Sequence, residues 1–152
     1  MPDRVILITG GNTGIGFETV KALCKEPTAY NILIGTRSLE KGEAAIVSLK
    51  NEIPETTSTV STVQVDIESD DSIKKAFDYV SSKYGKLDVL VNNAGASFDP
   101  KIQDGSLTIR EAFNKSWDVN VAGTQVMTTT FIPFCSIPPI RVCCSLRVEL
   151  RR

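Results

Sequence analysis

The sequence predicts an α/β protein, a doubly wound parallel sheet with helices on both faces. Three observations predict it. Short apolar runs alternate with amphipathic segments from the first residues onward, the pattern of parallel strands joined by crossover helices. A glycine-rich turn links the first apolar run to the first amphipathic segment, where a strand must hand over to a helix. Within the third amphipathic segment Ile73, Ala76, Phe77, Val80 and Tyr84 recur at helical spacing, so one face must pack on a sheet.

The elements follow in order. Residues 4–9 (RVILIT) read as a buried strand, and the turn after them leads into a helix of about ten residues. Pro27 stops that helix, since proline has no amide hydrogen to donate. Residues 30–36 (YNILIGT) are the second strand. Ser38 is placed to cap the next helix, with Glu40 in its first turn and its end near Asn51. The third strand is read at 62–67, with Asp66 at its end, and Ser69-Asp70-Asp71 opens the third helix. The fourth strand, 87–91, runs into Asn92-Asn93-Ala94-Gly95. Thr108 and Glu111 form a capping box that starts one long helix through Trp117 and Asn120 to about Phe131. The sheet is expected to stop after that fourth strand and long helix.

Composition removes several classes of function. A chain of 152 residues is the size of one domain. Seventeen basic against eighteen acidic residues, with no basic run, argue against nucleic-acid and membrane-surface partners. The opening apolar run is too short for a membrane span and lacks a secretory cleavage pattern, so a cytoplasmic setting is expected. The absence of histidine removes Ser-His-Asp triads, imidazole bases and the commonest zinc ligand together. Cys24, Cys135, Cys143 and Cys144 match neither paired zinc knuckles nor a Cys-x-x-Cys redox site. No metal site is expected.

The chemistry starts at Thr9-Gly10-Gly11-Asn12-Thr13-Gly14-Ile15-Gly16. A turn between a strand and its helix can present backbone N–H groups to a pyrophosphate. Gly10 suits the tight turn, Gly14 lets backbone approach the phosphates, and Gly16 lets the helix lie close to the sheet. A plain flexible turn is the competing reading of this stretch alone.

The turn resembles the Thr-Gly-x-x-x-Gly-x-Gly motif of the short-chain dehydrogenase/reductase family. Asn92-Asn93-Ala94-Gly95 matches that family's second hallmark, Asp66 its adenine-contacting aspartate, and Asn120 its catalytic asparagine. Residues 10–18 and 84–91 most resemble the carbonyl-reductase-like branch. The resemblance implies a Rossmann-like domain over 1–133, incomplete, and a divergent tail over 134–152. It implies a dinucleotide held by Gly10, Asn12, Thr13, Gly14, Ile15, Gly16, Asp66, Ile67, Asn92, Asn93, Ala94 and Gly95. A small carbonyl or alcohol is the substrate only of a full-length protein. The family often forms homo-oligomers through two helices, of which the first, around 121–131, is present.

Cofactor choice is read at the end of the second strand, where an NAD site places a carboxylate for the ribose 2′-hydroxyl. Here stand Thr36, Arg37 and Ser38. A guanidinium pairs with a 2′-phosphate and a serine hydroxyl adds a hydrogen bond, so NADP is favoured over NAD. A solvated loop arginine is the competing reading of Arg37.

In the family a tyrosine protonates the carbonyl, a lysine four residues on lowers its pKa, and a serine upstream orients the substrate. All three belong after Asn120, where this chain has no tyrosine. Its one Tyr-x-x-x-Lys, Tyr79 to Lys83, precedes the Asn92-Gly95 motif and reads as an ordinary i,i+4 pair. The resemblance fades after Pro133. Shifting the codons of Ile140 to Val148 by one base allows Asp-Pro-Arg-Leu-Leu-Phe-Val, a fifth-strand sequence, so the tail is expected to be out of frame. A Tyr-x-x-x-Lys in the neighbouring frame of the gene is the expected consequence. As written, Leu146, Val148 and Leu150 alternate with charged residues, a pattern able to patch an open sheet edge. The resulting reading is an NADP-dependent oxidoreductase half that is inactive alone. A non-catalytic NAD(P)-binding fragment or a non-functional truncated product is the alternative.

Overall fold

The structure, a computed structural model, describes residues 4–134 and the strand at 141–144. Five parallel strands form one sheet in the order β3-β2-β1-β4-β5. They are β1 (Arg4–Thr9), β2 (Tyr30–Thr36), β3 (Thr59–Gln64), β4 (Val89–Asn92) and β5 (Arg141–Cys144). Between them run α1 (Gly14–Cys24), α2 (Leu39–Glu52), α3 (Asp70–Tyr84) and a helical stretch after β4. The expected α/β class and Rossmann-like doubly wound parallel sheet are present, and the structure puts the first four strands in the order 3-2-1-4.

The double winding follows from the period-2 alternation of β1. Val5 and Leu7 point into one core with Leu33, Ile73, Val80, Leu90, Met127 and Phe131, on the side of α3. Ile6 and Ile8 point into the other with Val20, Ile32, Ile34, Ile46 and Leu49, on the side of α1 and α2. Leu7, Ile8, Ile32, Leu33 and Ile34 are fully enclosed, and burying each side chain of this size contributes roughly 1.5–3 kcal/mol.

Three boundaries depart from the sequence reading. β3 starts at Thr59 and ends at Gln64, paired with β2 from Asn31↔Thr59 to Thr36↔Gln64. Its polar Thr59, Ser61 and Thr62 belong to an edge strand, whereas Val63, Val65 and Ile67 drew the expectation toward the C-terminal side. Asp66 therefore lies past the strand, in a turn where its carboxylate accepts from the Glu68 amide (3.1 Å). β4 begins at Val89 rather than Leu87 because the Asp88 carboxylate takes the Val5 amide (2.7 Å). The sheet also does not stop at four strands: β5 pairs with β4 from Val89↔Arg141 to Asn92↔Cys144, which occupies an edge that would otherwise leave backbone groups unpaired. The expected strand pattern at 146–150 lies outside the described residues.

The long final helix is interrupted. After a short helix α4 (Asp99–Gln103) that sequence reading missed, the capping box is formed as expected. Glu111 N donates to Thr108 Oγ1 (3.3 Å) and Thr108 N to Glu111 Oε2 (2.8 Å). It starts α5 (Ile109–Trp117), which passes into a π-helical turn (Asp118–Gly123) and then α6 (Thr124–Phe131). Such turns insert locally into helices and often mark functional positions.

Candidate functional site

The order β3-β2-β1-β4 reverses direction between β1 and β4, and at such a switch point loops diverge and leave a crevice at the C-terminal strand ends. A crevice of about 840 Å³ is there. Its walls include Gly10, Asn12, Thr13, Gly14 and Ile15 after β1, Thr36 at the end of β2 with Arg37 and Ser38 after it, Asp66 and Ile67 after β3, and Asn93, Ala94 and Gly95 after β4.

The floor is braced by hydrogen bonds that tie these loops together. Thr9, 1% exposed, accepts at its Oγ1 from the amides of Asn93 and Ala94, each at 3.0 Å. Asn93 Nδ2 donates to the Thr9 carbonyl (3.0 Å), and the Gly10 amide donates to the Gly35 carbonyl (2.8 Å). The first loop is thus clamped between β2 and β4. Gly10 and Gly14 take φ of 65° and 56°, a region that costs other residues roughly 1–2 kcal/mol. At Gly16 a Cβ would collide with the Gly10 carbonyl and come within 2.5 Å of Asn93 Nδ2.

The N-terminus of α1, like that of the short α4, carries no side-chain cap. Ser38, Ser69 and Thr108 cap α2, α3 and α5 with their side chains, whereas Thr13 makes no such cap on α1. Orphan amides and the positive end of the helix dipole are left for an anion. Further along the crevice, Ser38 Oγ accepts from the Lys41 amide (3.3 Å), which leaves its hydroxyl proton to donate.

Three expected residues stand behind the wall. Gly16 lies where α1 crosses the first loop. Asn92, 4% exposed, donates from Nδ2 to Thr128 Oγ1 (2.9 Å) and ties β4 to α6. Asn120 is buried in the π turn, donating from Nδ2 to the Ala96 carbonyl (2.8 Å) and accepting the Ala96 amide at Oδ1 (2.9 Å). Gly95 makes room for it, since a Cβ there would sit 2.8 Å from Asn120 Oδ1.

A family model described as short chain dehydrogenase matches residues 4–136. The chain belongs to the short-chain dehydrogenase/reductase family. It is 51% identical over 133 residues to the short-chain dehydrogenase/reductase eupG of Phoma sp, covering 87% of this chain and 48% of the relative. A menthone neomenthol reductase from Mentha piperita shares the fold, with a TM-score of 0.80 at 23% identity over 95% of this chain and 60% of that one. An alcohol dehydrogenase from the archaeon Thermococcus sibiricus, solved with 5-hydroxy-NADP, superposes with a TM-score of 0.70 at 26% identity over 86% of this chain and 52% of that one. The chain spans about half the length of the curated relatives it matches.

Short-chain dehydrogenase/reductase motifs led to most of the wall but not to Lys41, Glu68, Glu18 or Val119, which also line it. Lys41 had a readable signal: it is four residues after Arg37 and, with Ser38 capping, falls in the first turn of α2. Val119 had none, because the π turn that presents it is a tertiary feature. The Tyr79–Lys83 pair is the surface contact expected. Lys83 Nζ donates to Tyr79 Oη (2.8 Å) and lies over the Tyr84 ring. That hydrogen bond, ahead of the opposing desolvation, holds the Lys83 ammonium above its ordinary range. Neither residue lines the crevice. Among the described residues no helix is long and apolar enough to cross a membrane.

Proposed function

We infer that this chain is the NADP-binding part of an oxidoreductase that interconverts carbonyl and alcohol groups, and that it is inactive alone. The observation that carries the reading is the uncapped N-terminus of α1 opening on a crevice that Arg37 and Lys41 also line. Two such anion sites on one crevice suit a pyrophosphate and a 2′-phosphate joined by an adenosine. Open space above Gly14 fits close approach of a phosphate to backbone. The alcohol dehydrogenase solved with 5-hydroxy-NADP adds support from a relative.

Bound there, NADP supplies a hydride donor or acceptor. Residues of this chain bind and orient. The amides of Gly14 and Ile15 would hold the diphosphate, Asp66 and Ile67 the adenine, and Arg37, Ser38 and Lys41 the 2′-phosphate. Asn93, Ala94 and Gly95 would form the wall beside the nicotinamide. In this reading Asn120 is a positioning residue, which holds that wall against the π turn through Ala96. Within these 152 residues no tyrosine follows Asn120, and carbonyl-dependent oxidation of NADPH by these residues alone should be absent. The reading keeps 1–133 as an incomplete dinucleotide-binding domain and 134–152 as a divergent tail. A cytoplasmic setting belongs to it, and the buried free thiol of Cys24 suits a reducing compartment.

Thermal unfolding with and without cofactor tests the reading. At one hundred times Kd, NADPH should raise Tm by roughly 5–10 °C, with NADH raising it less. Arg37→Asp should cost NADPH affinity on the order of tenfold to a hundredfold and leave NADH nearly unaffected. An unchanged Tm with both cofactors sinks the binding assignment, and equal losses for both sink the choice of NADP.

A further inference from the structure

Arg37 is not alone on the crevice wall. Its guanidinium lies 3.5 Å from the Glu68 carboxylate, and both residues line the crevice. They arrive from adjacent strands, and their backbones are held. Gln64 Nε2 donates to the Arg37 carbonyl (3.2 Å), and the Glu68 amide donates to Asp66 Oδ1 (3.1 Å). The side chains are much freer: that of Arg37 is 74% exposed and that of Glu68 is 36% exposed. A pair this exposed is weak and easily exchanged. An incoming phosphate meets an arginine already in contact with an anion, and that anion stays nearby afterwards. A ribose 2′-hydroxyl is neutral, so it neither competes for the guanidinium nor is repelled by the carboxylate.

We propose that Glu68 is a specificity-determining residue that narrows the preference for NADP over NAD, by occupying Arg37 when no 2′-phosphate is present and opposing the phosphate when it is. The inference rests on the cofactor reading above. Specificity is a difference of two affinities, and Glu68 acts on one of them. Its removal should therefore strengthen binding of 2′-phosphorylated ligands alone. Lys41, on the same wall, keeps its charge and continues to favour the phosphate.

Calorimetric titration of the 152-residue chain with four ligands tests this. Adenosine 2′,5′-bisphosphate and adenosine 5′-monophosphate isolate the 2′-phosphate, and NADP and NAD repeat the comparison with the whole cofactor. Glu68→Gln should tighten adenosine 2′,5′-bisphosphate and NADP about two- to fivefold and leave the other two unchanged. Glu68→Lys should tighten them further. In an Arg37→Gln background the gain from Glu68→Gln should shrink, since the guanidinium it released is gone. Wild-type binding of NADP with no gain in Glu68→Gln, or with equal gains for all four ligands, overturns the role of Glu68 and leaves the cofactor reading standing. Failure of the wild-type chain to bind any of the four overturns both.

Discussion

At the scale of single residues, glycines and asparagines do the positioning. Gly16 has no room for a side chain, because its Cβ would meet the Gly10 carbonyl and the Asn93 amide, both part of the braced floor. Neither neighbour is the loose end of a flexible chain, so the added methyl must displace α1 or the first loop. Gly16→Ala should destabilise the fold by about 1–3 kcal/mol, measured by urea denaturation, and should abolish stabilisation by NADPH. A variant of wild-type stability that still binds NADPH would show that the loop yields and that this contact does not shape the site. Asn93 and Asn120 work by bonding to backbone on another element, which sequence motifs can flag but whose partners they do not reveal.

Caps and turns decide how each element contributes. The capping box at Thr108 sets where α5 begins. Thr108→Ala should cost about 1 kcal/mol. Glu111 is held below the ordinary carboxylate value of 4.5, first by the backbone hydrogen bond from Thr108 and then by its side chain. A lowered folded-state pKa stabilises above the unfolded value and is lost as pH falls through the folded one. Wild-type stability should therefore drop on acidification below the ordinary glutamate range by more than that of Glu111→Gln. Parallel acid titrations of the two proteins, followed by circular dichroism, check this, and equal losses of stability on acidification would refute the role of the box. The same element holds a feature the sequence hid. A run of helix-compatible residues reads as one helix, and only packing inserts the turn that buries Val119 and Asn120.

At the scale of the whole molecule, one surface stands out among the described residues. Ile109, Phe113 and Trp117 repeat every four residues along α5 and are 66%, 68% and 66% exposed, with Val121 following at 39%. Contiguous apolar surface of this kind promotes association, and a sheet edge adds to the hazard. The 152-residue chain should be poorly soluble and self-associating. Phe113→Glu with Trp117→Glu should raise the soluble fraction severalfold, read by light scattering across a concentration series. If the double variant aggregates as readily as the parent, this row is not the cause.

The strand-turn-helix order, the two-sided burial of β1 and β2, the caps at Ser38, Ser69 and Thr108 and the glycine-rich loop were all legible in the chain, because each depends on local periodicity or on short-range hydrogen bonding. Tertiary structure alone decided the reach of the polar edge strand β3, the pairing of β5, the π turn beneath Asn120 and the contact of Glu68 with Arg37. Each of these depends on which distant segment lies alongside. A pattern along the chain carries no record of that until the sheet is assembled.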